Sequence, residues 1–218
     1  MPDLSQSLLK IAVLAVPFLL AVICHEVAHG LAALAFGDPT ARDAGRLTMN
    51  PVRHLDKAGT LVFVLTSLFT PFVFGWAKPV PITPHRFRHF RAGMLVVSAA
   101  GAAANFLLAA LLYPLYLYLG SLPVEESGLF SFFHEWLFTL AMYGVAVNII
   151  IGAFNLLPIP PLDGSNIVAA LLPRSWAARY ARLGRWGMAI LILLLASGAF
   201  GILFRPLLHF INSILSQA

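Results

Sequence analysis

Long apolar runs set the pattern of this chain, at about 8–36, 92–119, 134–157 and 186–204. Each is near or above the ~20 residues that a helix needs to cross a bilayer core. A fifth apolar run, 58–76, contains Pro71 and ends in Gly75-Trp76. It predicts a re-entrant element, with a full short span as the alternative. The stretch GRLTMN at 45–50 begins with a turn residue and alternates, which predicts the strand of a small hairpin. No internal repeat or low-complexity tract interrupts the pattern. The expected fold is an all-α polytopic membrane protein with about four to six transmembrane helices and a small β-hairpin. It is expected to form a single membrane-embedded domain over 1–218, with a core at about 8–172 and an extra C-terminal helix at about 174–218.

Composition sharpens the picture. Hydrophobic residues make up 60% of the 218 positions and charged residues 11%, whereas a soluble domain usually carries about 25% charge. There is too little polar surface here to coat a water-soluble globule. The first apolar run has a nearly uncharged start and no small-residue cleavage site, so it is expected to stay in the mature protein. One cysteine, Cys24, excludes an internal disulfide framework. The net charge of +5 raises nucleic acid as a partner, but the basic residues sit between apolar spans. The membrane surface explains them better, and no nucleic-acid partner is expected.

Those charges also predict orientation. Four Lys and Arg lie in 42–57 (Arg42, Arg46, Arg53, Lys57), four in 78–91 (Lys78, Arg86, Arg88, Arg91) and four in 174–185 (Arg174, Arg179, Arg182, Arg185). The segment 120–135 has none, and holds Glu125, Glu126 and Glu135. The positive-inside rule puts the three basic segments in the cytoplasm and 120–135 outside. A span at 58–76 would separate two basic segments, which favours the re-entrant reading and four spans with both termini outside. The localisation expected is a bacterial plasma membrane.

Candidate chemistry lies inside the first run, in VICHEVAHG at 22–30. On a helix His25 and His29 are i and i+4, so both rings leave one face. Two neutral imidazoles at that spacing can chelate one Zn²⁺. Glu26 can reach a zinc-activated water as general base without being a ligand. The competing reading is a set of polar residues hydrogen-bonded between helices. Cost argues against it, since ionisable groups at membrane depth are expensive and usually mark function.

A hydrolytic zinc site needs a third protein ligand and an open position. Asp163 in NLLPIPPLDG, 155–164, follows the apolar span 134–157 and is placed to reach the same depth. Taken alone, Asp163-Gly164 reads as a turn or helix N-cap. The prolines change that balance. Pro158 ends the preceding helix, and Pro160 and Pro161 are expected to keep the chain extended. Non-helical backbone at membrane depth must be buried in protein or line a wet cavity, which is where an acidic ligand is wanted.

His25-Glu26-Val27-Ala28-His29 together with Asn155-x-x-Pro158-x-x-x-x-Asp163-Gly164 resembles the site-2 protease family of intramembrane zinc metalloproteases. The likeness runs from about residue 20 to about 172. It includes GRLTMNPVRHLDKAGT at 45–60 and FGWAKPVPITP at 74–84, which look like the short bacterial members without a PDZ domain. It also includes Gly101-Ala102-Ala103-Ala104-Asn105, where relatives often show Gly-Pro-x-x-Asn. Ala102 departs from that pattern, as does Lys57, where relatives often carry proline. The resemblance implies one Zn²⁺ per chain on His25, His29 and Asp163, with Glu26 as catalytic base. It implies that Asn155 and Pro158 help hold the substrate strand and that Asn105 lines the site. Asn155 is also a candidate to stabilise the oxyanion. The histidine pair is implied to lie towards the cytoplasm. His54 stands where the family tends to have a histidine, as a second-shell partner, a gate or a polar loop contact.

The expected activity is hydrolysis of peptide bonds within or near transmembrane segments of membrane proteins, with the bilayer as second partner. A substrate strand would pair with the 45–50 hairpin or the prolyl stretch. Two other readings compete. A non-catalytic chaperone or regulator would keep the fold but lose Glu26 or a ligand, and all are present. A small transporter would show paired broken helices in two halves, and only one clear break occurs. His85 and His89 are also i and i+4, but interleaved Arg and Phe suit a headgroup-facing segment. Cys24 points about 100° away from His25 on a helix and is not expected to be a ligand. The substrate, the oligomeric state and any regulation lie beyond the sequence.

Overall fold

The structure is a computed structural model and describes residues 4–69, 75–123 and 128–217, with side chains from residue 11 onward. Pro71 of the fifth apolar run and the acidic pair Glu125 and Glu126 lie outside the described residues. Three long helices form the body: α1 (Leu4–Ala35), followed after two short helices, α2 (Thr40–Asp43) and α3 (Lys57–Phe69), by α4 (Phe90–Ser121) and α5 (Leu129–Asn155). Then come α6 (Asp163–Leu171), α7 (Arg174–Ala181), α8 (Gly184–Ala196) and α9 (Ala199–Leu215). The apolar part of α1 covers 25 residues, α4 has 32 and α5 has 27. At 1.5 Å per residue each exceeds the ~30 Å hydrocarbon core. Leu31, Leu107, Leu111, Phe130 and Leu193 remain exposed on these helices and α8. Outward apolar faces of that kind suit lipid, and the chain is an integral membrane protein by length and composition.

α4 packs against α1, α5 and α6, so it is the central helix. Small residues allow the close approach. A Cβ on Gly144 of α5 would meet Leu112 of α4 at 2.7 Å. Further along, Tyr116 and Leu119 of α4 bury against Ala141 of α5. Ala109, Val145 and Ile149 form a second cluster that α9 closes with Ile211.

The run expected as one helix at 186–204 is broken. α8 and α9 meet at 74°, and Gly198 between them takes φ +74°, a left-handed conformation that ends helices. The pair still runs the length of the bundle. Gly187 of α8 lies against Pro160, while the Leu215 carbonyl at the end of α9 accepts from Tyr116 at 2.5 Å. Among the described residues three helices are long and apolar enough to cross a membrane, or four if this bent pair counts as one span.

The fifth apolar run forms α3, whose 13 residues reach only about 20 Å. Its approaches come back together. The Lys78 amide donates to the His54 carbonyl at 2.8 Å, and a Cβ on Gly59 would fall 2.1 Å from the Trp76 carbonyl oxygen. The chain on either side of α3 therefore returns to the same end of that helix, which fits the re-entrant reading that the charges favoured.

The predicted hairpin does not form, and no strand occurs among the described residues. The polar groups of 45–50 are used locally. Gly45 takes φ +63°, the Arg46 amide donates to Ala41, and Asn50 Oδ1 caps the turn at 51–53 by accepting from Val52 at 3.0 Å. The prolyl stretch is not extended either. The Ile159 amide donates to Leu157 and the Leu162 amide to Ile159, so the chain turns tightly into α6. The segment 75–83 has no regular secondary structure. That segment is pinned where the Thr83 amide donates to buried Asp38 at 2.6 Å. Asp38 also accepts from the Thr40 amide and hydroxyl. Burial pushes the Asp38 carboxyl up, but these donors outweigh it and hold the group below the usual carboxylate range.

Candidate metal centre

His25 and His29 project from α1 as the i, i+4 spacing requires, and both are buried. Asp163 opens α6, where an anion suits the helix N-terminus. It turns away from capping and reaches the histidines. Asp163 Oδ2 lies 3.0 Å from His25 Nε2 and 3.2 Å from His29 Nε2, and the two Nε2 atoms are 3.0 Å apart. Three atoms bound to one tetrahedral zinc at ~2.05 Å would be separated by about 3.3 Å. The observed triangle is close to one face of that tetrahedron.

The opposite sides of the rings say which nitrogens are free. His29 Nδ1 is 2.6 Å from the Val97 carbonyl, which can only accept, so Nδ1 carries the proton. Asn105 Nδ2 donates to the Ala21 carbonyl at 3.0 Å, which turns its Oδ1 to His25 Nδ1 at 2.7 Å. His25 Nδ1 is therefore a donor too. With Nδ1 carrying its proton, each ring in its neutral form presents a bare Nε2, and with the carboxylate three electron pairs then converge on one point, an arrangement that a cation fits. The nitrogen, nitrogen, oxygen set is a usual zinc donor set, and the three residues are the one group of metal-ligating side chains found among the described residues.

α4 must come very close to allow this. A Cβ on Gly101 would lie 2.5 Å from His25 Cε1 and 2.5 Å from His29 Nε2. Gly164 plays the same part for α6, where a Cβ would fall 2.2 Å from the Leu156 carbonyl oxygen.

Glu26, beside the first histidine, accepts from the Val80 amide through Oε2 at 2.6 Å. This fixes one carboxylate oxygen. The other has no hydrogen-bond partner among the described residues.

A family profile for Peptidase family M50 matches residues 88–196. The chain is 31% identical over 201 residues to "Putative zinc metalloprotease YwhC" of Bacillus subtilis strain 168, covering 90% of this chain and 85% of that one. The chain belongs to peptidase family M50, the site-2 protease family. It is also 27% identical over 192 residues to "Putative zinc metalloprotease Rip2" of Mycolicibacterium smegmatis, covering 88% and 70% of the two chains. No solved structure matches it.

Within this M50 chain the structure brings some expected site residues into direct contact and gives others hydrogen bonds of their own. His25, His29 and Asp163 meet, Glu26 stands beside them on α1, and Asn105 touches His25. Asn155 instead donates to Ile151 of its own helix at 3.0 Å, and Pro158 is exposed with its carbonyl accepting from Tyr180 at 2.7 Å. Neither makes a hydrogen bond to the triad. His54 is buried but donates from Nε2 to the Thr48 carbonyl, as a loop contact. One residue escaped the sequence reading. Asn148 of α5, 1% exposed, accepts from Asn105 at 2.9 Å and donates to Gly144 at 2.8 Å. The available signal was an amide in the apolar run MYGVAVNIII, where a polar side chain is costly without partners.

Proposed function

We propose that this protein is an intramembrane zinc endopeptidase that cuts peptide bonds within or near transmembrane segments of other membrane proteins. The observation that carries this reading is the convergence of two imidazole nitrogens and one carboxylate oxygen within 3.0–3.2 Å of one another, at apolar helices and next to a glutamate.

His25, His29 and Asp163 would hold one Zn²⁺. Bound there, zinc would supply a Lewis acid that acidifies water at neutral pH and polarises a carbonyl. Asn105 and the Val97 carbonyl hold the two rings in the tautomer that leaves Nε2 unprotonated. The Val80 amide fixes Glu26, and its second oxygen takes the proton from the attacking water and passes it to the leaving amine. Gly101 and the turn at 156–162 keep the site closely packed, so each charge interaction is stronger than it would be in bulk water. A substrate helix must unwind locally, because its peptide groups are otherwise hydrogen-bonded and shielded from water. The distribution of the basic segments supports a site towards the cytoplasm of a bacterial plasma membrane.

The test is zinc content and cleavage of a panel of transmembrane peptides in detergent. Wild type is expected to hold about one zinc and cleave. Glu26→Gln keeps an acceptor for the Val80 amide, so it should retain zinc and lose cleavage by roughly 10²-fold or more. Asp163→Ala should lose zinc and cleavage together. Full activity in Glu26→Gln, or a folded wild type that takes up no zinc, would sink the proposal.

A further inference from the structure

Two cavities share Leu55 as a lining residue. The first is an open groove of about 840 Å³ lined by Arg46, Arg53 and Lys78, and no carboxylate lines it. None of these three cations has an ion pair among the described residues. Arg46 is 8% exposed. It donates to the Lys78 carbonyl at 2.7 Å through Nη2, and its Nε has no partner. A buried guanidinium with one hydrogen bond has donors to spare.

The second cavity is a cleft of about 210 Å³ between α1 and α3. Its α1 wall is one helical stripe, Ile11, Ala15, Phe18, Leu19, Val22 and Ile23. That stripe is about 18 Å long, close to the ~15 Å depth of one leaflet's hydrocarbon. Phe63 and Val64 of α3 form the far wall, and Trp76 stands at its mouth. Leu55 lines both cavities. The chain passes from basic to apolar lining in consecutive residues, from Arg53 to Leu55 and from Lys78 to Trp76.

We propose that this composite site binds one anionic phospholipid. The phosphate would sit on Arg46, Arg53 and Lys78, and an acyl chain would lie in the α1–α3 cleft. A basic headgroup pocket that adjoins an apolar cleft of one leaflet's depth through Leu55 fits an amphiphile, whereas free phosphate has no use for the cleft. Lys78 lies two residues from Val80, whose amide holds Glu26, so the lipid would also steady the segment that positions Glu26. The site goes beyond the proteolytic reading and does not depend on it.

Native mass spectrometry of the full chain, delipidated in detergent and titrated with phosphatidylglycerol or phosphatidylcholine, tests this directly. Wild type should retain one phosphatidylglycerol per chain in preference to phosphatidylcholine. The exposed double variant Arg53→Gln, Lys78→Gln should weaken phosphatidylglycerol on the order of thirty-fold, from two cations at the membrane surface. Ala15→Trp, which fills the cleft, should weaken it with all three cations in place. Equal retention of the two lipids overturns the proposal, as does unchanged binding in both variants. Displacement of the lipid by inorganic phosphate at comparable concentration would reassign the groove to a free anion. Displacement by an acidic peptide would reassign it to a polypeptide.

Discussion

Replacing Asn105 with leucine isolates the support for one ligand from the ligands themselves. The side chain is fully buried, and leucine is close in shape, so the cavity term is small. The variant removes the acceptor of the His25 Nδ1 proton at 2.7 Å and the donors to Ala21 and Asn148 at 3.0 and 2.9 Å. An orphaned buried donor costs about 1–3 kcal/mol. The ring can avoid that cost only by turning, which moves Nε2 off the metal. Losing the partner behind a metal-bound histidine typically weakens affinity by about 10–100-fold, or roughly 1.4–2.7 kcal/mol. The two estimates agree. Chelator competition on the detergent-solubilised protein reads the zinc affinity, and thermal unfolding with excess zinc checks the fold. Asn148→Leu removes only the next link and should weaken zinc less. A folded Asn105→Leu protein that binds zinc within about twofold of wild type would refute this account of His25. A larger effect at Asn148 than at Asn105 would reverse the proposed order of the chain.

Other substitutions probe the packing that brings the helices together. Gly101→Ala should improve helix propensity by about 1 kcal/mol. Its Cβ would nonetheless press on both imidazoles, so zinc affinity should fall by about tenfold or more while the helical circular dichroism is kept; undiminished affinity would contradict the close approach of α4. Asp38→Asn should cost about 2 kcal/mol in thermal unfolding, because one of its amide or hydroxyl donors would face an amide. The Asp38 carboxyl is lowered in the folded protein, so its contribution is present at neutral pH and lost as pH falls through the folded value. The variant should therefore lose part of the wild type's acid sensitivity, read by melting as the pH falls from about 5 through the usual carboxylate range and below it.

What the sequence revealed and concealed divides by range. His25, Glu26 and His29 were legible because a helix fixes their relation within one turn, and Asp163 because few acids lie near apolar runs. The charges on either side of 58–76 gave the return of the chain, now seen where Lys78 bonds to His54. Short alternation misled at 45–50, because a left-handed Gly45 and a capping Asn50 turn the backbone before a strand can pair. The break at Gly198 was written in Ser197-Gly198, a helix-ending signal inside an apolar run. The Asn105–Asn148 bond depends on how α4 and α5 face each other, and no local pattern encodes that.

The same limit applies to the C-terminal segment at about 174–218, which the sequence presents as an addition to a core ending near 172. In the structure it holds the turn that delivers Asp163. A Cβ on Gly187 of α8 would fall 2.0 Å from the Pro160 carbonyl oxygen, and Tyr180 of α7 donates to the Pro158 carbonyl at 2.7 Å. Phe154 at the end of α5 packs on Phe200 of α9 at 5.5 Å between ring centroids. The turn between α5 and α6 is thus gripped from outside, and Gly187→Val must push it away from α8. A displacement of about 1 Å at Pro160, three residues before Asp163, is enough to spoil a zinc ligand distance that tolerates about 0.2 Å. Zinc affinity should therefore fall in Gly187→Val while His25, His29 and Asp163 are all present. Unchanged affinity in a folded variant would mean that α8 merely lies beside the core and that the metal centre is complete without it.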